Sequence, residues 1–214
     1  MKIYRHYKNK FYKYYGLAKH SETLEDLALY DCLYENSMGK TWVRPKELFF
    51  GETEVDGKLV PRFQEYTPEI VTYTDIKKEQ LEVLAKLIKA VFGEWDESSF
   101  RETFDSRSKF HLALAYVGDE AAGFKIGFET SQNQFYSWYG GVLEKYRGFG
   151  IATQLMELQH SWCKEQGYKR VQTKTKNKFK DMLLLNIKNG FHVTGINASD
   201  RPNGTKIILE KSLK

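Results

Sequence analysis

The spacing of apolar residues changes once along this chain, near residues 64–68, and the change divides any fold into two parts. Before it, apolar residues fall in short aromatic-rich runs: Lys2 to Tyr7, Lys10 to Leu17, Leu27 to Glu35, Thr41 to Val43 and Leu48 to Phe50. Runs of this length, bounded by turn residues such as Lys8-Asn9 and Asn36-Ser37-Met38-Gly39, read as strands with no long helix among them. Val55-Asp56-Gly57-Lys58-Leu59-Val60 reads as a hairpin, because Asp-Gly supplies the positive φ angles of a tight primed turn. Residues 1–66 are therefore expected to form a small β-barrel or roll with a limited core.

Gln64 to Pro68 is polar, carries a proline and reads as a linker. From residue 67 to 214 helical and strand patterns mix. After a short strand at Ile70 to Tyr73, Lys78 to Phe92 places Leu81, Leu84, Leu87, Ile88 and Val91 at helical spacing. Asp96 to Phe104 reads as a second helix with Asp96 as its N-cap. Three strands follow, His111 to Val117, Ala121 to Glu129 and Gln134 to Val142. Ile151 to Glu165 is a helix stopped by Gly167, Arg170 to Thr175 a strand, and Lys178 to Asn189 a helix stopped by Gly190. Phe191 to Ile196 and Thr205 to Lys211 are the last strands, joined by a loop with Asp200, Pro202 and Gly204. The pattern predicts an α+β fold, a mixed sheet with helices on its faces.

Composition excludes several classes. With 41% hydrophobic and 15% aromatic residues the chain can bury a core, so disorder is excluded. No apolar run approaches the ~20 residues of a membrane span. The basic start, Met1 to Lys10, has no apolar stretch behind it, so no signal peptide and no membrane partner are expected. Cys32 and Cys163 are far apart and suggest no metal spacing, so the expectation is two free thiols, a cytoplasmic location and no metal. The net charge of +5 is uneven: Lys169, Arg170, Lys174, Lys176, Lys178, Lys180 and Lys188 crowd one stretch with Asp181 as its one acid. Such a cluster suits an anionic partner or a solvated face.

Val142 to Thr153 carries the most chemistry. A strand enters a turn with Gly148 and Gly150, and a helix then begins. The first amides of a helix have no intrahelical partner, and its dipole adds positive charge there. Glycines let a ligand approach the backbone, which together makes a phosphate cradle. Spacing alone equally allows a tight turn with no ligand. A Rossmann fingerprint and a Gly-Lys-Ser/Thr P-loop are both absent.

Arg147-x-x-Gly150-x-Ala152 resembles the acyl-CoA pyrophosphate loop of the GNAT superfamily of N-acetyltransferases. The element order over 69–214 is similar to that fold, a mostly antiparallel sheet, flanked by helices, that splays beside the loop. The resemblance implies pantetheine in the splay, passing Gly140 and Gly141 and pairing with backbone groups at Val142. Arg147, Gly148, Phe149, Gly150, Ile151, Ala152 and Thr153 would surround the pyrophosphate, and Asn177 would be a further CoA contact or else a helix N-cap. Glu144 stands where the family often has proline. Leu185-Asn186-Ile187-Lys188-Asn189-Gly190-Phe191 resembles a segment usually read Leu-Tyr-x-x-x-Gly-Phe, whose Tyr acts as general acid near the sulfur. Asn186 stands at that place and cannot serve as such an acid; it either bonds the cofactor or bridges helices.

Amine acetylation also needs a proton acceptor. Where family members carry a Glu this chain has Tyr136, a poor base at its ordinary pKa near ~10. Glu129, late in the preceding strand, is the nearest carboxylate and could act through a water. Alternation puts Tyr136 and Trp138 on one face of their strand and Phe135, Ser137 and Tyr139 on the other, the first pair suggesting a pocket for an apolar or cationic acceptor.

Tyr4-Arg5-His6-Tyr7-Lys8, His20-Ser21-Glu22-Thr23, Leu29-Tyr30 with Leu33-Tyr34, and Trp42-Val43-Arg44-Pro45 with Leu48-Phe49 resemble a family of short bacterial proteins of unknown function. That resemblance implies an SH3-like β fold and no activity. The first 66 residues hold 11 basic and 10 acidic residues, a balance that argues against nucleic acid. The combined expectation is a bacterial-type cytoplasmic N-acetyltransferase, monomer or homodimer, with acetyl-CoA as cosubstrate, an amine acceptor and a β accessory domain over 1–66. A silent CoA-binding protein and an adaptor or RNA-binding β domain are the alternatives.

Overall fold

The computed structural model describes residues 1–93, 95–200 and 204–213. Two compact units divide the chain, Met1–Pro68 and Glu69–Lys214. Pro202, named above in the last loop, lies outside the described residues.

The first unit is built on β1 (Lys2–His6), β2 (Phe11–Lys19), β3 (Asp26–Cys32) and β4 (Thr41–Pro45). Next come a one-turn helix α1 (Lys46–Phe50), a hairpin of β5 (Glu52–Val55) and β6 (Lys58–Pro61), and β7 (Phe63–Tyr66). Asp56 and Gly57 take φ of 50° and 74° in the hairpin turn, as the Asp-Gly pair requires. The main sheet is antiparallel with order β4-β3-β2-β1-β7 and does not close, so of the expected SH3-like barrel or roll the closed barrel is not formed. The reason is visible in the core. Phe49 of α1, fully buried, stacks on Phe63 at 4.1 Å and packs against Tyr4, Tyr14 and Tyr30. A helix thus covers the face that closure would otherwise have to bury. The strand expected at Leu48 to Phe50 is part of this helix.

The second unit begins with β8 (Glu69–Tyr73), α2 (Lys78–Phe92) and α3 (Glu97–Ser106). Asp96 caps α3 by accepting from the Ser99 amide at 3.0 Å. β9 (His111–Val117), β10 (Glu120–Ser131) and β11 (Gln134–Val142) form an antiparallel meander. A single 3₁₀ turn at Glu144–Tyr146 leads to α4 (Ile151–Glu165). β12 (Arg170–Lys176), α5 (Lys180–Lys188), β13 (His192–Asn197) and β14 (Lys206–Ser212) complete it. Among the described residues the sheet has the order β13-β14-β12-β11-β10-β9-β8, antiparallel except for β11 beside β12.

Helices cover both faces. Leu84, Leu87 and Ile88 of α2 and Phe100 of α3 bury Leu112, Leu114, Phe124 and Ile126 on one side. Met156 and Cys163 of α4 bury Phe135, Val171 and Leu209 on the other. Among the described residues no helix is long and apolar enough to cross a membrane, and no group of His, Cys, Asp and Glu is arranged to hold a metal.

Candidate functional site: a splayed sheet facing a glycine turn

β11 and β12 pair only over Gln134–Ser137 and Arg170–Thr173. Beyond that point β12 stays with β14 as far as Lys176, and β11 stays with β10 as far as Val142. The two strands part, leaving the inner edges of 138–142 and 174–176 without a strand partner. A bulge contributes: Ile126 pairs Tyr139 while Gly127 pairs Ser137, so Trp138 is the extra residue that bends β11. The bulge also corrects the face assignment from alternation. Tyr139 shares the α2 face with Tyr136 and Trp138, because one inserted residue shifts the alternation by one.

A cavity of about 890 Å³ occupies the gap. Its outer end is the turn before α4. Gly148 and Gly150 adopt φ of 85° and 80°, a region costly for other residues. Gly150 is the N-cap of α4, and the first helical bond runs from Gln154 N to its carbonyl at 3.0 Å. The amides of Ile151, Ala152 and Thr153 are therefore free of helical bonds at the mouth of the cavity. Arg147 Nε donates to the Val142 carbonyl at 3.2 Å, and Tyr146 Oη donates to Glu120 at 2.7 Å, which fix the turn. A Cβ at Gly141 would come within 2.7 Å of Val91 on α2, so that site tolerates no side chain.

Charge is one-sided. Six lysines (125, 174, 176, 178, 180 and 206) and Arg147 line the cavity against Asp181. Such a lining attracts polyanions. At the far end the wall is aromatic. Tyr136 and Trp138 line it, and Trp138 stacks on Phe100 at 4.6 Å.

Of the residues singled out in the sequence, the structure brings Tyr136, Gly141, Val142, Arg147, Gly148, Gly150, Ile151, Ala152, Thr153 and Asn186 onto this one cavity. Phe149, Asn177 and Glu129 lie outside its lining. Asn177 is exposed in the turn after β12, and the N-cap of α5 is Phe179, so Asn177 is not the helix cap that was its alternative role.

Residues 80–182 match the model of the acetyltransferase (GNAT) family. This part of the chain is a GNAT acetyltransferase domain. Residues 2–65 match the model of a protein of unknown function, DUF1653. No curated protein matches the sequence. Solved structures share the fold of the second unit at low identity. An acetyl-CoA-bound GNAT family acetyltransferase from Elizabethkingia anophelis has a TM-score of 0.56 at 20% identity, covering 68% of this chain and 97% of that one. The ribosomal-protein-S18-alanine N-acetyltransferase from Escherichia coli has a TM-score of 0.59 at 14% identity, covering 68% and 94%. An Arabidopsis thaliana protein in complex with the bisubstrate analogue CoA-Ac-MVNAL has a TM-score of 0.55 at 20% identity, covering 67% and 98%.

Within the GNAT domain the proton-handling groups sit as follows. Glu129 is held by Lys109 Nζ at 2.8 Å and Tyr168 Oη at 2.9 Å, and the Lys109 bond, then the Tyr168 bond, keeps its carboxyl below the ordinary range. A carboxylate so engaged, and outside the cavity, is a weak base. Burial pushes the Tyr136 phenol up to about 12. Asn186 is 3% exposed and lines the cavity; among the described residues its side-chain amide makes no hydrogen bond within the chain.

Sequence reasoning missed Lys125, Ser137 and Thr175, which also line the cavity. Lys125 is 8% exposed and has no ion pair or hydrogen bond among the described residues. Burial lowers its ammonium to about 8. Its signal was available: it is the one charge in the apolar run Ala121 to Phe128.

Proposed function

We propose that the chain is an acetyl-CoA-dependent N-acetyltransferase that transfers acetyl to a primary amine by direct attack within a ternary complex. The observation that carries this reading is the cavity between the parted strands, closed at one end by the unbonded amides of α4. CoA pyrophosphate fits the Gly148–Thr153 end, with Arg147 and the surrounding lysines as counter-charges. Pantetheine fits the free edge of β11 at Gly140 to Val142, where the backbone groups on the β12 side have no strand partner.

Backbone N–H groups on that edge would polarise the thioester carbonyl, and a neutral amine would attack it. The nitrogen–carbon bond forms, the carbon–sulfur bond breaks, and one proton passes from nitrogen to sulfur. No covalent enzyme intermediate is required, and Cys163, on the buried face of α4 with its thiol pushed up to about 12, offers no nucleophile. Tyr136 and Trp138 form the acceptor wall. Asn186 serves as a hydrogen-bond donor near the sulfur. The position of Glu129 favours a scaffolding role over the base considered from sequence.

The acceptor is a small-molecule amine or a protein amine; the structure in complex with CoA-Ac-MVNAL makes peptides worth including in a test. The functional division falls at residues 66 and 67, with the β unit narrowing acceptor choice or recruiting a partner. Two buried, unpaired cysteines suit a reducing compartment such as the cytoplasm. The test is acetyl-CoA turnover over a panel of amines and peptides with product mass spectrometry. Acetylated product supports the reading. CoA binding without product would make the chain a silent binder.

A further inference from the structure

We infer that Lys125 is a catalytic residue of this site, placed to stabilise and protonate the departing CoA thiolate, the task that Asn186 cannot perform. The inference rests on the proposed function, because it needs CoA in the cavity.

Lys125 pairs with Gly140 across β10 and β11, so their side-chain positions share the α4 face. Gly140 leaves that place empty. A Cβ there would lie 3.6 Å from both Cγ and Nζ of Lys125, so the lysine chain lies across the glycine toward the gap between the strands. It also lines, with Gly140, Gly141, Met182 and Leu185, a small recess between β11 and α5. Phosphate sits at the Gly150 end, so the thioester end of an extended CoA must point the other way, toward the fork at Ser137 and Thr173. There the Ser137 Oγ and Thr175 Oγ1 are buried and unpartnered, and both residues line the cavity with Lys125. Unsatisfied buried donors beside an ammonium call for an acceptor or an anion that arrives with a ligand.

A buried ammonium without a counter-charge is costly to the fold. Such a cost persists at functional sites, where charge develops during reaction. The titratable groups packed against Lys125 are His111 of β9 and His160 and Cys163 of α4, while Lys174 and Lys176 of β12 and the exposed Asp181 of α5, which makes no ion pair with Lys125, share its cavity. Burial keeps both imidazoles neutral at pH 7 and the thiol protonated, so none supplies the missing negative charge. Tyr136 and Tyr139 lie on the opposite face. The proton balance closes: Lys125 gives a proton to sulfur as the carbon–sulfur bond breaks, and the amine nitrogen returns one as the amide forms.

The test compares the full chain with Lys125→Met, and with Lys125→Gln should the Met variant misfold. Four readouts are taken: CoA affinity by calorimetry, thermal midpoint, acetyl-CoA turnover against pH, and the ultraviolet titration of the thiol of bound CoA. The expected result is a thermal midpoint unchanged or raised, with turnover down roughly 100-fold or more. The alkaline fall of kcat/KM for acetyl-CoA, near pH 8 in the wild type, should vanish. The bound CoA thiol should titrate at least about one pH unit lower in the wild type than in the variant, a tenfold effect. A lysine that only packs would move stability and leave the thiol titration alone. Equal thiol titration or equal turnover in wild type and variant overturns the inference while leaving the proposed function intact. An acetyl adduct on Lys125 in the wild-type intact mass also overturns it, since the lysine would then be an acceptor. Failure of the wild type to bind CoA overturns the proposed function itself.

Discussion

Thr173 donates its hydroxyl to the backbone carbonyl of Ser137 at 2.9 Å, at the last rung before β11 and β12 part. The bond ties the fork from which the cavity opens. Below it the sheet is continuous; above it two strands leave bare inner edges that a ligand can pair with. Both residues are nearly fully buried, so the fork is a fixed point of the core and not a fraying end.

The turn before α4 should bind the pyrophosphate. Gly150→Glu would set a side chain at φ 80° and a negative charge where the phosphates lie. CoA affinity measured by calorimetry should fall at least tenfold, about 1.4 kcal/mol. Wild-type affinity in a folded variant would sink the assignment.

Asn186→Ala should lower turnover by no more than roughly tenfold, because one hydrogen bond is worth about 0.5–1.5 kcal/mol. Steady-state kinetics with Asn186→Tyr alongside would show whether a phenol restores what the amide lacks. No change in turnover or CoA affinity on Asn186→Ala would leave the residue a packing role. A thousandfold loss would make it far more central.

Glu129→Gln should leave turnover within about threefold, because its carboxylate is committed to Lys109 and Tyr168 away from the cavity. A loss of a hundredfold or more in kcat, with the fold intact by circular dichroism, would restore it as the base.

Residues 67–214 alone should still bind CoA with wild-type affinity, since every residue lining the cavity lies between Val91 and Lys206. Calorimetry on the truncated chain checks this. A folded fragment without CoA binding would refute the division of function.

Stability should fall in mild acid. Burial lowers His111 to about 4 and His160 to about 3 from an ordinary 6.5. In each case the folded state binds its proton later than the unfolded chain does. The stabilising difference is present above pH 6.5 and is lost as pH falls from there toward 4. With both histidines lagging, the slope approaches two protons, about 2.7 kcal/mol per pH unit at most. Urea midpoints from pH 7 to 4 should show it, and His160→Gln should make the slope shallower. An unchanged slope in a folded His160→Gln variant would count against the imidazole as its source.

The sequence by itself determined what depends on neighbours along the chain. Asp56-Gly57 sets its own turn, Asp96 caps α3 with an amide three residues on, and Gly148 and Gly150 open α4 with bare amides. Each is legible because the atoms involved lie within a few residues of each other. The short helix Lys46–Phe50 was not, since five residues carry too little period to tell helix from strand. Only the tertiary structure decided the rest. Whether Tyr139 faces α2 depends on a bulge opposite Gly127, and whether Glu129 reaches the site depends on Lys109 and Tyr168, 20 and 39 residues away. Lys125 is a lone charge in the sequence, and it becomes a site residue because Gly140, brought opposite by strand register, leaves it space to reach the fork. Register, bulges and the parting of strands come from packing between distant segments, and that information has no local period to be read from.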